Sequence, residues 1–252
     1  MAAVGGRPGD DMSGFSWLAR RTLAVIRREG VIGTVQRVVK HGRIAIGLPS
    51  RESRDYRRRK EAADRAFDEA RGVDTGGTQH LIDLTIRSAN AALGVSHIAT
   101  GPAHFRAAMR TLDVDPRGYA FVDLGSGKGR ALLMAAEYPF AKIVGVEFAK
   151  ELHAICQQNL ARVGDPRLGC RLGDAESYEF PSGNLVVFMN NPFDKPVVQR
   201  IATRLANSRD ADRSVTRLVY VNPRAPEVFA DPPWFDVGST DGVRVFGLRP
   251  PV

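Results

Sequence analysis

The segment that decides the fold is FVDLGSGKGR, residues Phe121–Arg130. An apolar run typical of a buried strand ends at Leu124, a glycine-rich turn follows, and a helix is predicted to begin at once. Gly125, Gly127 and Gly129 let the backbone bend sharply and come close to a ligand. The start of the helix offers N–H groups without intrahelical partners. The segment therefore predicts a ligand site at the end of a strand.

The glycine spacing excludes two common nucleotide sites. A phosphate-binding loop of the GxxxxGK[ST] type needs Ser or Thr after its lysine, whereas Gly129 follows Lys128 here. The dinucleotide fingerprint is GxGxxG, and this sequence reads GxGxG. Asp123, just ahead of the glycines, would repel a pyrophosphate. It suits a ligand that carries an ammonium group.

Two further acids follow the next two predicted strands. KIVGVEF places Glu147 at the end of one strand, 18 residues beyond Gly129, where a carboxylate can accept both hydroxyls of a ribose. CRLGDAESYEF places Asp174 at the end of the other, where it can accept a hydrogen bond from an adenine amino group while the Ala175 N–H donates to a ring nitrogen. Acids at successive strand ends line one crevice, the ligand site of open α/β sheets.

From Tyr119 onward, short apolar runs alternate with amphipathic stretches. This alternation predicts a mostly parallel sheet covered by helices on both faces. The last two strands are separated only by Thr240–Gly242, which predicts a terminal β-hairpin. The predicted strands are 120–124, 143–146, 185–189, 218–221, 234–239 and 243–248, with another in the region 170–180; the predicted helices are 130–137, 150–163 and 197–205.

Residues 119–250 resemble the class I S-adenosylmethionine-dependent methyltransferases, which have a seven-stranded, Rossmann-like, mostly parallel sheet with an antiparallel last strand. The DLGSGKGR loop followed by an NPF turn is most similar to bacterial members of unassigned substrate, and more distantly to non-SET lysine methyltransferases. The resemblance implies S-adenosyl-L-methionine as cofactor. The glycine loop would bind its methionyl part, and the two later acids would bind its ribose and its adenine. The implied cofactor-binding residues are Asp123, Gly125, Ser126, Gly127, Gly129, Glu147, Asp174 and Ala175.

The fourth strand, NLVVFMNNPFDKP, ends in Asn190-Asn191-Pro192-Phe193. This turn resembles the [DNS]PP[YFW] signature of amino methyltransferases, with Asn191 in place of the first proline. The resemblance implies that Asn190, Asn191 and Phe193 are catalytic residues that orient an amine or hydroxyl acceptor. The missing proline favours a protein lysine or a small molecule over a nucleic-acid base. Alternatively, Asn-Pro only ends the strand and Phe193 packs in the core.

The charge of the chain is concentrated near its N-terminus. The 252 residues carry a net charge of +8, and residues 1–72 hold 16 Lys and Arg against 9 Asp and Glu, a net of +7. With the turn-rich GVDTGG as boundary, we predict a basic helical extension, 1–72, and a methyltransferase domain, 73–252. The alternative function is a non-catalytic module whose basic arm binds RNA or anionic lipid. Helical patterns in the extension cover 17–26, 31–39 and 51–60.

The remaining sequence signals concern location and minor elements. Two cysteines without CxxC spacing, no secretory signal and no apolar run of membrane-spanning length predict a cytoplasmic protein without a metal site. A helix is expected through 81–86, and another begins at Pro102 with an apolar face formed by Phe105, Ala108, Met109 and Leu112. We expect Lys128 to face solvent and Cys156 to pack in the core. Arg130 has no assigned role, and the histidines show no ligand spacing.

Overall fold

The computed structural model describes residues 51–80, 84–86, 88, 97–207 and 215–248. From Glu61 onward, the described residues form one compact unit. The helices predicted at 17–26 and 31–39 lie outside the described residues. The helix predicted at 51–60 is present and continues to Glu69.

The described helices and strands follow the predicted alternation. The helices are α1 (Arg51–Glu69), α2 (Pro102–Thr111), α3 (Arg130–Ala135), α4 (Lys150–Val163) and α5 (Lys195–Asn207), and a 3-10 turn covers Pro226–Phe229. The strands are β1 (Thr78–Gln79), β2 (His97–Ile98), β3 (Tyr119–Leu124), β4 (Lys142–Glu147), β5 (Leu168–Leu172), β6 (Asn184–Asn190), β7 (Thr216–Val221), β8 (Trp234–Thr240) and β9 (Val243–Leu248).

In the described part of the chain, seven strands form the main sheet, in the order β5-β4-β3-β6-β7-β9-β8. The first five in this order pair in parallel, and β9 is antiparallel to both β7 and β8. The predicted α/β fold, with its antiparallel last strand and terminal hairpin, is therefore confirmed. The parallel strands bring their carboxyl ends to one edge of the sheet, where the predicted site residues follow.

The central strands are buried on both faces, which explains their continuous apolar sequences. Side chains of α2, α3 and α4 cover one face and side chains of α5 cover the other. The predicted apolar face of α2 is confirmed, since Phe105, Ala108 and Leu112 are almost completely buried. Cys156 is also buried, as expected. Within the described residues, no helix has the length and apolar character needed to cross a membrane.

Two short segments differ from the sequence prediction. Residues 84–86 are not helical: Ile86 forms an antiparallel bridge with Ala149, and the Lys150 N–H donates to the Thr85 carbonyl at 3.2 Å. These contacts with the start of α4 outweigh the helical pattern of the segment. Residues 97–98, for which the sequence predicted no strand, form β2, which pairs antiparallel with β1.

Candidate functional site

The glycine-rich turn leaves β3 at Leu124 and enters α3 at Arg130. The N–H groups of Gly125 and Ser126 both donate to the Val146 carbonyl, at 2.9 and 3.1 Å, so the turn is anchored to β4. The Gly129 N–H donates to the Ser126 carbonyl at 2.8 Å and closes a four-residue turn. The central residues of this turn are Gly127 and Lys128.

Two of the glycines allow close approach of neighbouring segments. Gly125 has a φ of 79°, and a Cβ there would lie 2.5 Å from the Cβ of Pro192. Gly127 has a φ of 55°, and a Cβ there would overlap the His97 imidazole. Any other residue would be strained at these angles and would push the neighbours away. The predicted cofactor turn and the predicted acceptor turn are therefore in contact, through Gly125 and Pro192.

Asp123 and Glu147 are both buried beside this turn, each with 3% of its surface exposed. Glu147 accepts hydrogen bonds from the Gly127 N–H at 2.7 Å and the Ala149 N–H at 2.8 Å. Burial raises the pKa of Glu147 to about 7, although the N–H groups act in the opposite direction. Burial, followed by repulsion from Glu147, also raises the pKa of Asp123 well above its ordinary value. A positively charged ligand would offset this crowding of acids.

The ligand-free protein is expected to lose stability as the pH rises from about 5 to about 8. The pKa of Glu147, about 7, is above its ordinary value of 4.5, so between these values the native state holds a proton that the unfolded state releases. The free energy of unfolding should therefore fall with rising pH, by about 3 kcal/mol in total. Urea unfolding across this range measures the slope, which should become shallower in Glu147→Gln. An equal slope in the variant would contradict the assignment to Glu147.

The other predicted cofactor residues occupy different surroundings. Asp174 follows the end of β5 by two residues, accepts a hydrogen bond from the Ser88 hydroxyl, and accepts another from the Glu176 N–H at 2.8 Å. Ala175 beside it is buried. The Ser126 hydroxyl lies 3.6 Å from the Cys170 sulfur, so its side chain packs beneath the turn. Gly129 is the N-cap residue that precedes α3, and it faces Cys156.

The predicted acceptor turn follows β6 at the same edge. The Asn190 amide donates to the Thr100 hydroxyl at 3.1 Å and to the Ile98 carbonyl at 3.3 Å, and accepts from the Asn222 amide at 3.0 Å. Asn191 is buried with a φ of 45°, and the Tyr220 hydroxyl donates to its side-chain oxygen at 3.5 Å. Phe193 is buried in the core on the α5 face. Thr100 and Asn222, which the sequence did not single out, thus join this turn.

The expectation that Lys128 faces solvent is wrong. Lys128 is 5% exposed and Arg130 3% exposed, and both side chains turn away from the ligand edge toward the segment 64–76. The Lys128 ammonium donates to the Asp74 carboxylate at 2.8 Å, and the Arg130 guanidinium contacts Asp64 and Asp68. Both cations are buried because these acids compensate their charge. The partners are more than fifty positions away along the chain, so local spacing gave no signal for them.

A family described as "Methyltransferase domain" matches residues 121–208. The matched region begins at β3 and contains the glycine turn, both buried acids and the turn after β6. A search of curated proteins found no match.

Solved structures similar to this chain include methyltransferases that are named for different acceptors. The YcgJ protein of Bacillus subtilis is 20% identical over 51% of this chain and 55% of its own, with a TM-score of 0.40. An RNA methyltransferase of Salinibacter ruber, in complex with S-adenosylhomocysteine, is 18% identical over 60% of this chain and 92% of its own, with a TM-score of 0.46. A phosphoethanolamine N-methyltransferase of Haemonchus contortus is 19% identical over 48% of this chain and 28% of its own, with a TM-score of 0.40. The chain thus spans about half the length of the first and less than a third of the last. None of these likenesses identifies an acceptor.

Proposed function

We propose that this chain, whose α/β domain is a class I S-adenosylmethionine-dependent methyltransferase domain, transfers the methyl group to an amino or hydroxyl acceptor at the turn Asn190–Phe193. The acceptor that we favour is a protein lysine or a small molecule. The observation that carries the proposal is the pair of buried acids, Asp123 and Glu147, beside a glycine turn that contacts the acceptor turn through Pro192.

The residues at this edge fit S-adenosylmethionine by their chemistry. The cofactor carries an ammonium group and a positively charged sulfur, and the site offers two crowded carboxyl groups whose pKa values are raised in the free protein. Asp123 would hold the ammonium group and Glu147 the ribose hydroxyls. Asp174 and the Ala175 N–H would hold the adenine. Gly125, Ser126, Gly127 and Gly129 would contribute their backbone.

When bound, the cofactor supplies a methyl group activated by its positive sulfur. The protein then needs mainly to align a nucleophile on that carbon, opposite the sulfur, and to exclude competing water. A neutral asparagine can orient an amine by accepting its N–H but cannot deprotonate it. We assign this orientation to Asn190 and Asn191. Phe193, which is buried in the core, would support the turn from behind. Asn222 and Thr100 would support Asn190 through the hydrogen bonds described above.

The class of acceptor is tested by methyl transfer from radiolabelled S-adenosylmethionine to a lysate separated into protein, nucleic acid and small molecules. We expect label in protein or in the small-molecule fraction, and methylated lysine after acid hydrolysis if the acceptor is a protein. Asp123→Ala should abolish the signal. Label confined to nucleic acid would overturn the favoured acceptor, and no transfer to any fraction would overturn the proposed reaction.

Replacing Asn190 with alanine is expected to slow methyl transfer by ~100-fold, since misalignment of the acceptor is costly. The affinity for S-adenosylhomocysteine should stay close to wild type because Asn190 would not hold the cofactor. Steady-state kinetics with the identified acceptor, together with calorimetric titration of S-adenosylhomocysteine, separate the two effects. Asn207→Ala, at the far end of α5, is the matched control and should change neither. An equal loss of cofactor affinity in Asn190→Ala would contradict its placement on the acceptor side.

The basic segment at the start of the described residues belongs to the proposed extension, 1–72. Arg57, Arg58 and Arg59 are exposed along α1. We propose that this extension precedes the catalytic domain without supplying the reacting groups. We also propose a cytoplasmic location, which is supported by the composition and by two cysteines that form no disulfide framework.

A further inference from the structure

Lys128 occupies the centre of the glycine turn, yet its side chain points away from the ligand edge. The ammonium group donates to the Asp74 carboxylate at 2.8 Å and to the Gly76 carbonyl at 3.0 Å. Lysine loses considerable side-chain freedom on burial, and its charge is costly to desolvate. A solvent-facing lysine would avoid both costs. The burial of Lys128 therefore suggests that its side chain has a role in holding the turn.

The backbone of Lys128 is held as firmly as its side chain. Asn159 on α4 is 1% exposed, and its amide donates to the Lys128 carbonyl at 2.9 Å and to the Asp74 carbonyl at 2.6 Å. The Asp74 N–H donates back to the Asn159 side-chain oxygen at 2.9 Å. Asp74, Asn159 and Lys128 thus form a closed set of hydrogen bonds behind the turn.

The segment 74–76, which accepts the hydrogen bonds of Lys128, is itself held by several hydrogen bonds. The Asp68 carboxylate accepts from the N–H groups of Thr75 and Gly76, at 2.9 and 2.8 Å. Arg130 donates to the Thr75 hydroxyl at 2.6 Å and contacts both Asp64 and Asp68. Buried ion pairs contribute little net stability but can define how two segments align. The position of residues 74–76 relative to the turn is therefore well defined.

We infer that Lys128 is a positioning residue for cofactor binding: anchored on residues 74–76, it holds the turn so that the Gly127 N–H meets the Glu147 carboxylate. The inference rests on the proposed function, in which Glu147 binds the ribose. Gly127 and Lys128 are the two central residues of the turn closed between Ser126 and Gly129. Displacement of one therefore displaces the other. The Gly127 N–H is 2.7 Å from Glu147, and a small rotation would lengthen this bond.

A consequence is that the region before the sheet takes part in building the cofactor site. Residues 64–76 would touch no part of the cofactor, but they determine where the ammonium group of Lys128 lies. Loss of that anchor should leave the fold intact, since 60% of the Asp74 side chain is exposed and water can replace the lysine. Lys128→Met therefore keeps roughly the length of the side chain and removes its charge together with its hydrogen bonds to Asp74 and Gly76.

The test is the affinity for S-adenosylhomocysteine, measured by calorimetric titration as a function of pH. Lys128→Met should bind ~10-fold more weakly. Because the Gly127 N–H lowers the pKa of Glu147, its loss should move the midpoint of the pH dependence upward from about 7. Glu147 interacts electrostatically with Asp123 on β3 and Cys156 on α4, and the His97 imidazole lies against Gly127. None of these three side chains is altered by the substitution. Asp74→Ala, which removes the anchor without touching the turn, should show the same two changes more weakly.

The control is Lys142→Met, the same substitution on an exposed lysine at the opposite end of β4, which should change neither affinity nor midpoint. Wild-type affinity in Lys128→Met, or a weaker affinity with an unmoved midpoint, would overturn the positioning role. Glu147→Gln distinguishes this failure from that of the proposed function. If Glu147→Gln binds S-adenosylhomocysteine with wild-type affinity, the proposed cofactor site is wrong. If Glu147→Gln binds weakly but Lys128→Met binds with wild-type affinity, the cofactor site is supported and the positioning role of Lys128 is wrong.

Discussion

Glu147→Ala is expected to weaken the binding of S-adenosylhomocysteine by ~100-fold, because a charge-assisted pair of hydrogen bonds to the ribose is lost. The substitution also leaves the Gly127 N–H without its carboxylate acceptor at 2.7 Å, so the glycine turn loses a contact that shapes it. The expected loss of affinity thus has two sources: the lost contact with the ribose and the poorer preorganisation of the glycine turn. Calorimetric titration above pH ~7, where the carboxylate is charged, gives the full difference.

The matched control for this substitution is Glu179→Ala. Glu179 is an exposed acid in the connection between β5 and β6, and no cofactor contact is assigned to it, so its replacement should leave cofactor affinity unchanged. Thermal unfolding of the ligand-free proteins at pH ~8 should show that Glu147→Ala stays folded, since removal of the buried charge offsets the two lost hydrogen bonds. A wild-type dissociation constant in Glu147→Ala would show that the ribose lies elsewhere.

The fold was largely predictable from local patterns. Strands buried on both faces have continuous apolar sequences, and α4 was predicted with its observed bounds because its apolar face and the following glycine are local signals. The segment 84–86 was predicted wrongly for the opposite reason. Its apolar residues have helical spacing, but Ile86 finds a backbone partner in Ala149, more than sixty positions later. Long-range pairing of this kind leaves no mark in the spacing.

The residues of the candidate site also differ in how far local sequence predicts them. Acids that follow strands could be located, because parallel strands end at one edge whatever the details of packing. The burial of Lys128 and Arg130 could not be predicted, because it depends on Asp64, Asp68 and Asp74 in a separate segment. Lysine and arginine are normally exposed, and only a compensating charge reverses that expectation. The hydrogen bonds of Asn190 with Thr100 and Asn222 were hidden likewise, since each partner comes from a different loop.

Arg130→Met is expected to lower the free energy of unfolding by ~3–5 kcal/mol, the cost of leaving buried acids without their cation. The guanidinium is almost fully buried, contacts Asp64 and Asp68, and lies 4.7 Å from the centre of the Phe67 ring. Asp64 is itself 7% exposed, so water cannot replace the lost partner. This is a large part of the stability of an ordinary domain. Urea unfolding at neutral pH measures the loss.

Two further variants separate the buried charge from loss of packing. Adding Asp64→Asn to Arg130→Met should recover part of the stability, because a neutral amide is cheaper to bury than an uncompensated carboxylate. Arg117→Met makes the same substitution in an exposed pair with Asp115, where 77% of the arginine side chain is in water, and should leave stability unchanged. If Arg130→Met were as harmless as Arg117→Met, the buried contacts with Asp64 and Asp68 would not hold α1 to the cofactor turn. If the double variant were less stable than Arg130→Met alone, the loss would come from packing against Phe67, and not from the uncompensated charge of Asp64.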